Sequence, residues 1–121
     1  MDETLKRIND FLTTLQWCDF EVLECNGNLK IGGKASFADV YEIIITFENV
    51  YYFQCLTSWT ADTTVSCFAI SALEEGRDLN IKYQIQQGNT LFKIIGEDVA
   101  PMYVSAENIT VEFKDKHSGL L

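Results

Sequence analysis

Histidine and proline occur only once each in this chain of 121 residues, and several catalytic and metal-binding patterns are missing as well. The histidine, His117, lies in the polar C-terminal stretch DKHSGLL, where we expect nothing to hold an imidazole in place as a base or a ligand. The chain has no CxxC pair, no GxSxG motif and no phosphate-binding glycine loop. We therefore expect a non-catalytic protein without a metal ion or cofactor.

Long hydrophobic runs are also missing. No uninterrupted apolar segment approaches the roughly 20 residues of a membrane-spanning helix, and the opening stretch MDETLKRIND carries charges where a secretion signal has its apolar region. We therefore expect a cytoplasmic protein that does not enter a membrane. The four cysteines, Cys18, Cys25, Cys55 and Cys67, are then expected to be reduced and buried rather than paired in disulfides.

Positive charge is scarce and unevenly distributed. Eighteen Asp and Glu residues outnumber nine Lys and Arg residues, which gives a net charge of -9 and argues against nucleic-acid binding. Between Lys34 and Arg77 there is no Lys, Arg or His at all. We call residues 35–76 the acidic segment; its carboxylates are Asp39, Glu42, Glu48, Asp62, Glu74 and Glu75, and its aromatic residues are Phe37, Tyr41, Phe47, Tyr51, Tyr52, Phe53, Trp59 and Phe68.

The N-terminal residues predict one helix. The apolar residues between Asp2 and Gln16 recur at spacings of three and four, which is the pattern of an amphipathic helix. These residues are Leu5, Ile8, Phe11, Leu12 and Leu15.

After Trp17 the hydrophobic period changes from about 3.6 to 2, which predicts strands. Asn26-Gly27 predicts a hairpin between strands at 19–25 and 28–32, with positive φ at both turn residues, and Gly32-Gly33 suggests a bulge or bend. Glu48-Asn49 predicts a turn between strands at 40–47 and 50–57. Further strands are expected at 64–73, 79–86, 90–95 and 108–114, with an irregular segment at Pro101.

Close strand spacing with hairpin turns and no helical crossover predicts one α+β domain over residues 1–121. It would comprise the N-terminal amphipathic helix (1–17), a curved antiparallel sheet of about eight strands (18–114), and a flexible tail (115–121). The sheet would form a meander or partial barrel, and a two-sheet sandwich with an appended helix is the alternative.

The stretch YYFQCLTSW, residues 51–59, is rich in aromatic side chains and has no charge. On the predicted strand 50–57, Tyr51, Phe53 and Cys55 share a face that we expect to be buried, whereas Tyr52 faces the other way. Residues 57–63 are expected to form a loop that exposes Trp59 beside Asp62.

The acidic segment favours a protein-binding function, because Arg and Lys pair with carboxylates and stack on aromatic rings. We expect an inhibitor or immunity-type protein that neutralises or docks a basic protein partner, such as a toxin or nuclease. The residues expected to contact this partner are Asp39, Glu42, Glu48, Tyr52, Trp59 and Asp62.

Two alternatives stay open from the sequence. The interior of a curved sheet would suit a small molecule or a substrate, in a pocket lined by Tyr51, Phe53, Trp59 and Phe68. The chain could instead be a structural or oligomeric accessory domain that uses an apolar strand face as a self-interface.

Overall fold

The computed structural model describes residues 2–71 and 89–114, which form one helix and a curved antiparallel sheet. The helix α1 spans Asp2–Leu12. The strands are β1 (Asp19–Cys25), β2 (Leu29–Lys34), β3 (Ile43–Gln54), β4 (Ser58–Thr60), β5 (Phe68–Ile70), β6 (Thr90–Ile94) and β7 (Met102–Phe113).

All seven strands of the described residues lie in one sheet, in the order β4-β1-β2-β3-β7-β6-β5. Every neighbouring pair is antiparallel, so the predicted antiparallel sheet is confirmed. The sheet curls into a half-barrel, and an isolated bridge between Ala61 and Gly96 joins the end of β4 to the chain just after β6. The sandwich alternative is therefore wrong for this part of the chain. The predicted strand at 79–86 lies outside the described residues.

The helix α1 packs one side against the sheet, with Leu5, Ile8 and Leu12 buried. It ends four residues before the expected boundary at Gln16. The hydroxyls of Thr13 and Thr14 bond the carbonyl oxygens of Asp10 and Phe11, at 3.1 and 2.6 Å, and so compete with continued helical hydrogen bonding. From Thr14 to Leu15 the backbone hydrogen bonds instead join residues three positions apart, which is a tighter turn than that of an α-helix.

Two contacts fix the helix to β7 and to the edge strand β5. The ring of Phe11 lies 5.1 Å from that of Phe113, at the end of β7. The side-chain amide of Asn9 donates to the carbonyl oxygen of Phe68 at 2.8 Å and accepts from the Phe68 backbone N–H at 3.1 Å. Asn9 thus takes the place of a neighbouring strand along the outer edge of β5.

The concave side of the sheet and the helix enclose one hydrophobic core. Its largest fully buried side chains are Phe20, Phe47, Phe68, Phe92, Ile8, Leu12, Leu29, Ile31, Ile43, Ile45, Ile94 and Ile109. The burial of Ile43, Ile45 and Phe47 confirms the alternation predicted for the first half of β3.

The hairpin predicted at Asn26-Gly27 is present between β1 and β2, but its turn differs from the expected type. Cys25 pairs with Leu29, which leaves a three-residue loop, and only Gly27 has a positive φ, of 94°. The Asn26 N–H bonds the Asn28 carbonyl oxygen across this loop at 3.1 Å. The extra loop residue removes the need for a second residue with positive φ.

The turn predicted at Glu48-Asn49 is wrong, because β3 runs through it as a strand of 12 residues. Asn49 takes a φ of 52°, and the register against β7 shifts between Val50 and Tyr52. Pairing with the equally long β7 holds the chain extended, so the local turn signal produces a kink and not a reversal. Beyond the kink, Tyr51 and Phe53 are 46% and 39% exposed, which makes their predicted burial wrong.

The loop predicted at 57–63 is also wrong in part, because Ser58–Thr60 forms β4 on the outer edge of β1. Trp59 is only 6% exposed and stacks on Phe20 at 5.7 Å. The edge of β1 supplies backbone partners for this segment, so the indole points into the core.

No helix among the described residues is long and apolar enough to cross a membrane.

The two hydrogen bonds between Asn9 and Phe68 give a test of the helix-to-sheet junction. Replacement Asn9→Ala should lower the free energy of unfolding by about 2 kcal/mol, because the polar backbone groups of Phe68 lose their partner in a partly buried position. Urea unfolding measures this loss. The matched control Lys6→Ala removes an exposed side chain from the same helix and should cost much less. Equal losses in the two variants would contradict the role assigned to Asn9.

Candidate protein-binding site

Antiparallel pairing brings several distant parts of the sequence to one end of the sheet. The starts of β1 and β3 and the ends of β2 and β4 meet there, because neighbouring strands run in opposite directions. The polar and aromatic residues at this end are Trp17, Asp19, Lys34, Phe37, Asp39, Glu42 and Asp62. We call this set the rim.

The segment between β2 and β3, residues 35–42, forms one side of the rim and is held by Tyr41. Gly32 has no side chain, and the Tyr41 ring lies in the space above it; a Cβ at Gly32 would be 2.6 Å from Tyr41 Cδ1. The Tyr41 hydroxyl donates to the Glu21 carboxylate on β1. The predicted bulge at Gly32-Gly33 is wrong, since β2 passes straight through both glycines and the register shift lies in β1, between Val22 and Glu24.

Phe37 is the most exposed large apolar side chain among the described residues, at 99%. Its ring lies beside that of Trp17, with 5.7 Å between the two ring centres and an angle of 52° between their planes. Trp17 lies two residues before β1, so this aromatic pair joins the chain entering β1 to the segment that follows β2. A phenylalanine in this position contributes almost nothing to the core.

The rim carboxylates have different partners. Asp39 pairs with Lys34 at 2.6 Å, which lowers the pKa of the carboxyl group and raises the pKa of the ammonium group. The acidic segment is therefore partly compensated, contrary to the expectation from the sequence. Lys34 lies just outside the segment in sequence, but the chain folds back to bring it alongside.

Asp62 and Asp19 lie at the ends of β4 and β1, which pair with each other. Asp62 accepts hydrogen bonds from the hydroxyl and the backbone N–H of Thr64, at 2.5 and 3.1 Å, and these lower its pKa. Asp19 accepts a hydrogen bond from the Thr60 hydroxyl at 2.7 Å. Both carboxylates are fixed as charged acceptors at the rim.

Glu42 is held at the rim by its backbone. The backbone N–H of Glu42 donates to the Gly33 carbonyl oxygen at 2.8 Å. The carbonyl oxygen of Glu42 accepts a hydrogen bond from the backbone N–H of Lys114 at 2.9 Å. Both bonds extend the sheet by one residue beyond the start of β3.

Three of the six predicted contact residues, Asp39, Glu42 and Asp62, come together at the rim. Glu48 and Tyr52 do not, because they lie further along β3: Glu48 accepts from the Asn108 side chain at 3.0 Å, and the Tyr52 hydroxyl bonds Gln54 at 2.8 Å. The expectation that Trp59 is an exposed anchor is wrong, since β4 directs it into the core.

The aromatic residues at the rim, Phe37 and Trp17, were not among the predicted contacts. A signal for Phe37 exists in the sequence: it follows Gly32-Gly33-Lys34-Ala35-Ser36, outside any alternating pattern that would bury it. For Trp17 the boundary between helix and strand gives no such signal.

The pocket proposed as an alternative from the sequence is not formed by its four predicted residues. Trp59 and Phe68 are buried in the core, whereas Tyr51 and Phe53 are on the surface. The described part of the molecule instead has an open groove of about 370 Å³ at the opposite end from the rim. It is lined by Gln54, Cys55, Leu56, Val99, Ala100, Pro101 and Met102.

In residues 2–71 and 89–114, no three His, Cys, Asp or Glu side chains are grouped as metal ligands would be. The four cysteines are free thiols. Cys18 and Cys67 are buried and Cys55 is half-buried, but Cys25 is exposed, so its predicted burial is wrong.

Comparison of the chain with protein-family models, with curated proteins and with solved structures finds no match.

Two buried thiols lie behind the rim. Burial raises the pKa of Cys18 to about 12, and the nearby Cys67, Asp19 and Glu42 add to this effect. Burial likewise raises the pKa of Cys67 to about 12. In the unfolded chain both thiols ionise near their ordinary pKa of 9.0. Since only the unfolded chain loses these protons, the stability due to the neutral thiols is complete below pH 9 and is lost as the pH rises towards 12.

We expect the free energy of unfolding to fall between these two pH values, by up to about 1.4 kcal/mol per pH unit for each thiol. Denaturant unfolding at a series of alkaline pH values measures the slope. The slope should become shallower in Cys67→Ala and stay unchanged in the control Cys25→Ala, whose thiol is exposed. An unchanged slope in Cys67→Ala would contradict this assignment.

Proposed function

We propose that this chain is a small, acidic, non-catalytic binding protein of the cytoplasm that docks a basic protein partner at the rim, as an inhibitor or immunity-type protein does with a cationic toxin such as a nuclease. The observation that carries the proposal is the fully exposed Phe37 among the rim carboxylates. Neither feature alone would indicate a partner.

The exposure of Phe37 is difficult to explain by folding. Burying a phenylalanine side chain stabilises a protein by roughly 1.5–3 kcal/mol, and this residue contributes none of it in the free protein. Aromatic residues that fill a pocket of a partner often dominate interface energetics. Phe37 and Trp17 together also offer ring faces on which an arginine side chain can stack.

The charges around this aromatic pair favour a cationic partner. The rim carries four carboxylates, Asp19, Asp39, Glu42 and Asp62, against one lysine, Lys34, which pairs with Asp39. The chain as a whole carries a net charge of -9. Long-range attraction would accelerate association, and the carboxylates would pair with Arg or Lys once the partner is bound.

The alternatives have less support. The interior of the half-barrel contains buried aromatic and aliphatic side chains, among them Trp59 and Phe68, which the sequence had placed in a ligand pocket. A self-associating form would bring together acidic rims of like charge, which is unfavourable.

The role of Phe37 is tested with a captured partner. This partner is the basic protein that the immobilised chain retains at low salt and releases at high salt. Phe37→Ala should weaken its binding by about 30-fold, corresponding to a hot-spot loss of about 2 kcal/mol. Leu56→Ala is the matched control, because it removes an exposed apolar side chain at the opposite end of the molecule and should leave the dissociation constant unchanged. Equal weakening in both variants would contradict docking at the rim.

The electrostatic part is tested with two doubly neutralised variants. Asp39→Asn with Glu42→Gln should slow association by about tenfold at low salt and by much less at high salt, because screening removes the attraction. Glu24→Gln with Glu107→Gln makes the same change in net charge away from the rim and should have a smaller effect. Association that is independent of salt, or equally slowed by both pairs, would overturn the proposal, as would recovery of nothing but copies of this chain.

A further inference from the structure

Two cysteines lie together at the end of the molecule opposite the rim. Cys25 is the last residue of β1 and is exposed, and Cys55 directly follows β3 and lines the groove. They are separated by 30 positions in the sequence. The strand β3 continues past the β1–β2 hairpin, and Cys55 therefore lies near the end of β1, where Cys25 is found.

Two backbone hydrogen bonds define how close the cysteines are. The Val50 N–H bonds the Gly27 carbonyl oxygen at 2.8 Å, and the Val22 N–H bonds the Thr57 carbonyl oxygen at 2.9 Å. The segment from Val50 to Thr57 is therefore tied at its two ends to the β1–β2 hairpin and to β1.

Cys25 lies between Val22 and Gly27 in the chain, and Cys55 lies between Val50 and Thr57, so the two hydrogen bonds enclose both cysteines in one short backbone circuit. A disulfide within this circuit requires a Cα separation of roughly 4.4–6.8 Å. Burial raises the pKa of Cys55, and the neighbouring Cys25 adds to that effect, which agrees with this proximity.

We propose that Cys25 and Cys55 form an oxidisable thiol pair, and that a peroxide converts them to an intramolecular disulfide that fastens the β1–β2 hairpin to the segment leaving β3. The exposed Cys25 reacts first: its thiolate attacks one oxygen of hydrogen peroxide, the O–O bond breaks, and the other oxygen leaves as hydroxide, which takes up a proton to become water. The product is a sulfenic acid on Cys25.

Cys55 then completes the reaction. Its thiolate attacks the Cys25 sulfur, the S–O bond breaks, and the hydroxide leaves as a second water. Two thiols and one hydrogen peroxide thus give one disulfide and two waters. The open groove gives solvent access to Cys55, which is half-buried.

Cys18 and Cys67 form the natural internal control. They also lie near each other, as the effect of Cys67 on the pKa of Cys18 indicates, but both side chains are completely buried. An oxidant cannot reach them in the folded protein, so oxidation should distinguish the two pairs by access.

The test is treatment of the folded, reduced protein with hydrogen peroxide, followed by alkylation, intact mass measurement and peptide mapping. We expect a loss of two mass units, a Cys25–Cys55 crosslink, and alkylation of Cys18 and Cys67 after unfolding. The rate should not depend on protein concentration, and a thiol reductant should restore the starting mass. The oxidised form should also unfold at a higher urea concentration than the reduced form, because the link closes a long loop.

The variants Cys25→Ser and Cys55→Ser keep the shape of each site and should abolish the crosslink. A crosslink between Cys18 and Cys67, a crosslink between two molecules, or oxidation of Cys25 beyond the sulfenic acid without pairing would each overturn the proposal. This inference does not depend on the proposed partner, so failure of the one leaves the other standing.

Discussion

The pairing of β3 with β7 is the constraint on which the rest of the fold depends. Both strands have 12 residues, and they pair from Ile43 with Phe113 to Gln54 with Tyr103. This ladder joins the two halves of the sheet, because β2, β1 and β4 extend from one side of it and β6 and β5 from the other. Its one register shift, beside the positive φ of Asn49, bends the sheet so that the second half of β3 passes over the hairpin.

The same bend separates two surfaces of different chemistry. At the start of β3 the strand ends bring carboxylates, Lys34 and the Trp17–Phe37 pair into one rim. At its other end the chain leaves the sheet beside β1, where Cys25, Cys55 and the apolar groove lie. Between the two surfaces lies the core, which is filled by buried aromatic and aliphatic side chains.

The local hydrophobic pattern predicted those helices and strands in which the spacing of apolar residues alone decides which side chains are buried. Leu5, Ile8 and Leu12 recur along one side of α1, and Ile43, Ile45 and Phe47 alternate along β3, and all six are buried. Predictions failed where a distant partner decides the outcome. Glu48-Asn49 is a turn signal, but the pairing of Glu48 and Val50 with β7 carries the strand past it. Trp59 lies in a polar stretch but is turned inward by pairing with β1.

By itself, the amino-acid sequence determined an acidic chain with one helix, an antiparallel sheet and a stretch of residues without positive charge, because composition and local period require no knowledge of contacts. Only the tertiary structure decided which of these residues share a surface. It paired Asp39 with Lys34, buried Trp59, and left Phe37 exposed beside Trp17. The reason is physical: strand register and sheet curvature arise from backbone pairing between segments far apart in the chain, and a shift of one residue turns a side chain from the core to solvent.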